Sequence, residues 1–422
     1  MVKEEHKKVK LGPKKITVPS GWKIKDMKDL IKFKNGYAFS SKNYSENGKI
    51  VFRMSNINRK GNLNVNEENI KYCSEETYDE LERYHLAKDD LVICMTDMNS
   101  DLNILGRTGI IDKDDEYILN QRVGRMRVKN EDIVNFKYLH YFTNFKPYLD
   151  YIKATATGTA QYNTSTKTIK NTNVVLPSLP EQKKIASILS SVDKSIEKTD
   201  EVIEETKKVK KGLMRELLTK GIGNSKFKEV RIGTKKTKIP QRWNILNLEE
   251  LVDLRNGKFN PTKNLSDDFD IPVYGGNGIT GYYNEPLIEE PTIVIGRVGE
   301  YCGSIHLVKE KTWVTDNAIY INEINDKNNI YLDYLALYLK FANLNNLSNR
   351  TGQPKLTQSR ILTVGIPVPP LKEQNKIASI LSSVDAKIQK EEEYKAKLER
   401  LKNGLMQKLL TGEIRVNTDM EV

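Results

Sequence analysis

The stretch EQKKIASILSSVD at residues 181–193 returns as EQNKIASILSSVD at residues 373–385, and this pair decides the fold. Extended forward, the first copy closes on GLMRELLTKGI at 222 and the second on GLMQKLLTGEI at 414; at a gapless offset of 192, 23 of 42 positions are identical. A second repeat precedes each copy. Val9 to Gly36 matches Val230 to Gly257 at an offset of 221, sharing an I/V-P-x-x-W element (Val18-Pro19, Trp22; Ile239-Pro240, Trp243) and a closing Asn-Gly. The chain is two copies of one unit, each a variable globular part followed by a near-constant helix.

The helical reading rests on spacing. Pro177 and Pro180 end a strand-like Val174-Val175-Leu176, and Glu181 falls in a first helical turn, where a carboxylate suits the positive end of the helix dipole. Ile185, Leu189, Val192, Ile196 and Ile203 follow at 4-3-4-7 spacing, with Leu213 and Leu217 beyond a polar middle at Thr199, Thr206 and Lys210. That is a coiled-coil seam. The second copy offers Ile377, Leu381, Val384 and Ile388, then a shifted stripe through Tyr394, Leu398, Leu401, Leu405 and Leu409. A narrow apolar stripe needs a partner, and each helix is the other's obvious one.

Connectivity sets the expected direction. A helix of about 40 residues is roughly 60 Å long, whereas the ten or so residues from 220 to 229 reach about 34 Å when extended. The second globular part must therefore start near the far end of the first helix, and its own helix must run back. The expected architecture is α+β: two mixed, strand-rich globular domains joined by two long antiparallel helices that form a coiled-coil spacer with pseudo-twofold symmetry. The expected boundaries are 1–177 and 223–369 for the globular domains, and 178–222 and 370–415 for the helices. Two units of this size in 422 residues can each bury a core.

Net charge is +12, and its placement is informative. Residues 1–20 carry +4 and residues 223–240 carry +5, the helices +2 and +1, and the rest cancels. Basic charge thus leads into both globular parts, which suits phosphate contact; a Lys/Glu/Asn-rich composition reflecting a heat-adapted or AT-rich organism is the competing reading. No window approaches a membrane span, and the start MVKEEHKKVK has no apolar core of a signal peptide. Cys73, Cys94 and Cys302 are scattered, as expected of reduced thiols in a cytoplasm, and four dispersed histidines offer no metal-ligand spacing.

Within the globular parts, Leu91–Met95, Ile293–Ile295 and Ile319–Ile321 are apolar runs of strand length, and Arg125, Arg127 and Lys129 alternate onto one strand face. Turn-flanked side chains able to bond base edges supply the DNA-binding candidates: Arg107, Asn120, Gln121, Arg122, Gln161, Tyr162 and Asn163 in the first part, and Asn277, Arg297, Asn317, Arg350, Gln353 and Lys355 in the second. For each of them an ordinary turn role is the competing reading. Catalytic signatures are missing. There is no P-loop, no dinucleotide fingerprint around Gly275–Gly278, and no HExxH, GxSxG or deaminase pattern. Asn260-Pro261 lacks the second proline and aromatic of a base-holding methyltransferase loop. A chain with DNA-like features and no engine of its own is expected to address another protein's engine.

LPSLPEQKKIASILSSVDKSI and its copy VPPLKEQNKIASILSSVDAKI resemble the central and C-terminal conserved regions of specificity (S) subunits of type I restriction–modification systems. The I/V-P-x-x-W elements and the Thr-Gly before each helix (Thr157-Gly158, Thr351-Gly352) match as well, so the resemblance spans essentially the whole chain. It implies two target recognition domains, each reading half of a bipartite asymmetric site in double-stranded DNA, with the helices as spacer and docking frame for two methyltransferase subunits. It further implies restriction (translocase/nuclease) subunits using ATP and Mg, S-adenosylmethionine bound by the methyltransferase, adenine as the modified base, and no catalytic role for this chain. Glu181, Gln182, Glu373 and Gln374 carry over as partner-docking or helix-start residues, with structural capping as the competing role. Two other classes stay open: a nuclease or methyltransferase with a degenerate motif, and a coiled-coil scaffold touching nucleic acid non-specifically.

Overall fold

The computed structural model describes residues 5–11, 14–232, 235–325, 330–349 and 354–418. The chain divides into two compact units. The first combines residues 1–198 with 394–422, and the second is residues 199–393. Two 41-residue helices, the central helix Leu179–Thr219 and the C-terminal helix Leu371–Thr411, each contribute to both units.

The first unit opens with a basic hairpin, His6–Leu11 against Lys14–Pro19. Its main sheet is antiparallel, in the order Thr108–Ile110, Leu91–Cys94, Val123–Val128, Ile31–Asn35. A second sheet runs Tyr72–Cys73, Lys49–Phe52, Tyr117–Leu119, His85–Leu86, and its central pair is parallel. Leu91–Cys94 is buried on both faces, which is why its sequence is apolar without alternation. The expected face of Arg125, Arg127 and Lys129 forms, but it is used internally. Arg127 donates twice to Asp90 at 2.6 Å, Arg125 donates to the His85 carbonyl at 2.6 Å, and Lys129 donates to the Lys28 carbonyl at 2.7 Å. Helices Phe136–Asn144 and Lys146–Ala154 complete the unit, the first capped by the Asn135 side chain.

The second unit repeats this plan. Its hairpin is Phe227–Ile232 with Lys235–Pro240. The antiparallel sheet runs Val252–Asn256, Ala318–Ile324, Thr292–Gly296, Ile305–Val308, and a parallel pair, Ile271–Gly275 with Trp313–Val314, lies in a second sheet. Helix Leu332–Ala342 stands where Phe136–Asn144 stands in the first unit, and both donate a buried tyrosine hydroxyl to the strand before a long helix. Tyr138 reaches the Val175 carbonyl at 2.7 Å and Tyr334 the Pro367 carbonyl at 2.8 Å.

Inside each unit the long helices are antiparallel neighbours. In the first, Asp193 pairs with Lys402 at 2.6 Å, and Ile185 and Leu189 share a core with Leu409 and Leu410. In the second, Lys207 pairs with Glu392 at 3.2 Å and Lys210 with Asp385. Ile185, Leu189, Ile196, Ile203 and Leu217 are buried as the spacing requires, and Thr199 is buried with them. The C-terminal helix departs from its apolar stripe. Tyr394 and Leu401 are half exposed, while Lys402 and Met406 turn inward. The seam keeps its period and changes chemistry, because an ammonium beside Asp193 can occupy a position that an apolar stripe would assign to leucine.

Candidate nucleic-acid interface and the helix locks

Glycines set the geometry of the candidate interface. The repeated Asn-Gly pairs close the outer strands of the two main sheets. A Cβ on Gly36 would lie 2.0 Å from the Asn120 carbonyl oxygen, and one on Gly257 would lie 2.1 Å from that of Thr315. Only hydrogen at these positions lets the strand end press against the loop carrying Asn120-Gln121-Arg122 or Asp316-Asn317.

The next step is a backbone pivot present in both units. In the first, the Met95 N–H donates to the Arg122 carbonyl at 3.0 Å, and the Met95 carbonyl accepts from Thr164 N–H at 3.0 Å. One residue thereby brings Gln121 and Arg122 together with the Gln161-Tyr162-Asn163 turn. Asn163 is held by Thr96 Oγ1 at 2.8 Å and by Gln161 Nε2 at 3.2 Å. In the second unit the pivot is Arg297, whose N–H donates to the Asn317 carbonyl at 3.0 Å and whose carbonyl accepts from Leu356 N–H at 2.8 Å. Asn317 and Lys355 are exposed on either side. Asn277 sits exposed in the adjoining turn, whose Gly276 carbonyl accepts from Ser304 Oγ and lies 3.3 Å from His306 Nε2.

The candidates therefore sort by position. Gln121, Arg122, Gln161, Tyr162 and Asn163 form one group, and Asn277, Arg297, Asn317 and Lys355 the equivalent group. Asn120 is buried beneath the first, with its amide 3.5 Å from the Tyr44 hydroxyl. Arg107 lies apart, with its guanidinium over the end of helix Phe136–Asn144, 3.5 Å from the Asn144 carbonyl, where burial lowers its pKa. Arg350 and Gln353 lie outside the described residues. Sequence reasoning passed over Phe259, 72 % exposed two residues after the Gly257 crossing; the Asn-Gly repeat that marks the crossing was the available signal.

The two Glu-Gln pairs are buried in the first turns of the long helices. Gln182 accepts from Asn135 N–H at 2.9 Å and donates to the Pro177 carbonyl at 3.0 Å, while Gln374 accepts from Tyr331 N–H and donates to the Pro369 carbonyl, both at 2.8 Å. Each glutamine ties the start of a long helix to the loop before the short helix packed on it. The glutamates hold the end of the opposite helix. Glu373 accepts from Ile222 N–H at 2.8 Å, Asn224 Nδ2 at 2.9 Å, an Arg242 guanidinium nitrogen at 2.9 Å and Trp243 Nε1 at 3.1 Å. Glu181 instead forms a two-pronged ion pair with Arg415, at 2.6 and 3.0 Å. The helix ends meet the I/V-P-x-x-W elements through left-handed glycines. Gly221 (φ 68°) lies against Trp243 and Gly412 (φ 70°) against Trp22, so the two sequence repeats are halves of one joint.

Among the described residues there is no cluster of three or more potential metal ligands, and no helix long and apolar enough to cross a membrane.

The family model for the type I restriction modification DNA specificity domain matches twice, over residues 19–207 and 240–400. A Methanocaldococcus jannaschii chain described as the MjaX type I restriction enzyme specificity subunit is 26 % identical over 433 aligned positions, covering 98 % of both chains. The MjaVIII specificity subunit of the same organism is 28 % identical, covering 78 % of this chain and 80 % of its own. Among solved structures, the type I restriction–modification S subunit of M. genitalium superposes with a TM-score of 0.61 at 18 % identity, over 95 % of this chain and 98 % of that one. Two tandem matches and a repeated pivot lead to one assignment: this chain belongs to the type I restriction–modification DNA specificity family.

Proposed function

We propose that each unit reads one half of a bipartite, asymmetric DNA site and that the paired long helices set the distance between the halves. The observation that carries this reading is the repeated pivot. Met95 and Arg297 hold equivalent backbone positions, yet the side chains around them differ, with Gln121, Arg122 and Asn163 in one unit and Asn317 and Lys355 in the other. Equivalent frames with different hydrogen-bonding chemistry suit two different half-sites. The basic hairpins at residues 6–19 and 227–240 serve phosphates, which position the readers without adding sequence information.

In this reading the chain is a non-catalytic, cytoplasmic subunit. Two methyltransferase subunits supply S-adenosylmethionine and act on adenine, and restriction subunits supply ATP and Mg. Glu181, Gln182, Glu373 and Gln374 fix the helix frame from within; their burial supports this role over direct contact with a partner. The test is co-expression with a candidate methyltransferase subunit from a neighbouring gene, followed by sequencing of methylated host DNA. A gapped asymmetric motif that requires both chains is the expected result. A stable complex that methylates no gapped motif would refute the reading.

A further inference from the structure

The internal repeat exposes a difference between the two units that the DNA-reading role does not use. In the first unit, helix Lys146–Ala154 lies across the N-terminal hairpin. Tyr148, Leu149 and Ile152 are buried, Asp150 pairs with Lys14, and the hairpin residues Val9, Leu11, Ile16 and Val18 are buried in the same core. What remains open beside it is a groove of about 430 Å³ lined by Ile16, Thr17, Pro147, Gln407 and Thr411. In the second unit, among the described residues, no α-helix lies between Leu332–Ala342 and the short helix Gln358–Leu362. The chain turns through a left-handed Asn343 into the short turn Leu344–Leu347, and Leu344 alone is buried from that turn. The equivalent groove is about 880 Å³, lined by Thr237, Lys238, Arg215 and Thr219 at the positions matching Ile16, Thr17, Gln407 and Thr411. Its apolar walls are Phe227, Ile232, Ile239, Tyr338 and Phe341. Phe227 is 40 % exposed, and Val230 and Ile232 are only half buried, where Val9 and Leu11 are covered.

We propose that this groove receives an amphipathic helix from a partner protein, seated as Lys146–Ala154 is seated in the first unit. The internal copy defines the occupant's chemistry. It presents an aromatic and two aliphatic side chains at positions i, i+1 and i+4, and a carboxylate beside them. Arg215, Lys220 and Lys238 edge the groove, Lys220 also pairing with Glu216 at 3.0 Å, and no acidic residue is among its described lining, so the flank facing them is acidic. A second copy of this chain is a poor source, because its matching helix is buried in its own first unit.

The test uses the full chain with the photo-reactive residue p-benzoylphenylalanine in place of Phe341, and a hydrocarbon-stapled peptide of residues 144–156 as the probe. The expected result is a saturable crosslink, weakened at least tenfold by Leu149→Glu in the peptide and by Thr237→Phe in the protein. Thr237→Phe puts a large side chain into the groove, at the position Ile16 holds in the first unit, without removing any core residue. A crosslink indifferent to both changes, or none at millimolar peptide, would overturn the proposal. In the complex with co-expressed partner subunits, the same crosslinker should capture a partner segment with the aromatic–aliphatic–acidic pattern. Capture of DNA, or of a second copy of the chain, counts against it.

Discussion

Glu373→Ala should damage the protein far more than the equivalent Glu181→Ala. The Glu373 carboxylate accepts from four donors, and two of them, Trp243 Nε1 and the Ile222 N–H, cannot turn to water without moving the joint. Hydrogen bonds to a charged acceptor contribute about 1.5–3 kcal/mol each, and a buried donor left unsatisfied costs about 1–3 kcal/mol. Arg242 recovers hydration, since its side chain is 55 % exposed. The net loss is then about 4 kcal/mol. Glu181 has one described partner of this kind, Arg415, which is 43 % exposed, and Trp22 Nε1 makes no described hydrogen bond even with Glu181 in place. Its removal should cost about 1–2 kcal/mol. With a urea m-value of about 2 kcal/mol/M, the midpoints fall by about 2 M and by about 0.5–1 M respectively. Glu373→Gln should lie between, because its oxygen still serves Ile222 and Asn224 while its NH2 faces the donors of Arg242 and Trp243. Urea titration followed by tryptophan fluorescence reads all three. Equal shifts, or a larger one for Glu181→Ala, would refute the assignment of Glu373 as the stronger lock.

Gly36→Ala places a methyl group 2.0 Å from the Asn120 oxygen and should abolish recognition of one half-site, while Gly257→Ala abolishes only the other, as read by methylation of hybrid sites. His140 is buried, 3.2 Å from Thr108 Oγ1, and burial lowers its pKa from 6.5 to about 3. The unfolded chain therefore takes up a proton that the folded chain refuses, and this contribution is complete above pH 6.5 and lost on acidification towards pH 3. At pH 5 the loss is about 2 kcal/mol, and His140→Leu should flatten that part of the stability profile measured by urea titration. Inserting one heptad in both long helices, between Lys198 and Thr199 and between Glu393 and Tyr394, adds about 10 Å. It should lengthen the methylated motif's gap by about three base pairs without changing either half. Lys355→Ala should weaken binding to the second half-site, measured by fluorescence anisotropy on duplexes altered in one half at a time.

The helices were legible in the sequence because period and composition agreed over Ile185, Leu189, Ile196 and Ile203. The shifted stripe through Tyr394 and Leu401 misled because the seam there runs through Lys402, whose ammonium is neutralised across the helix pair by Asp193. A hydrophobicity pattern cannot register a half-buried ion pair whose other half lies about 200 residues away. The base-edge candidates were legible as turn residues, but their grouping was not, since it depends on backbone bonds at Met95 and Arg297 that no side-chain pattern reveals. Arg107 shows the limit from the other side. A Gly-Arg-Thr-Gly turn looks available to a ligand, and only the packing of helix Phe136–Asn144 against it shows where the guanidinium goes.

The division of the chain has a consequence for its birth on the ribosome. Residues 199–393 form one uninterrupted unit, whereas the other unit needs residues 394–422 to cover Ile185 and Leu189 and to supply Lys402 and Arg415. At about 5–20 residues per second, the first 198 residues wait roughly 10–45 s for that segment to be made. The unit translated first is thus the unit finished last, and a chain cut short before residue 394 would expose an apolar helix face for proteases and chaperones to find.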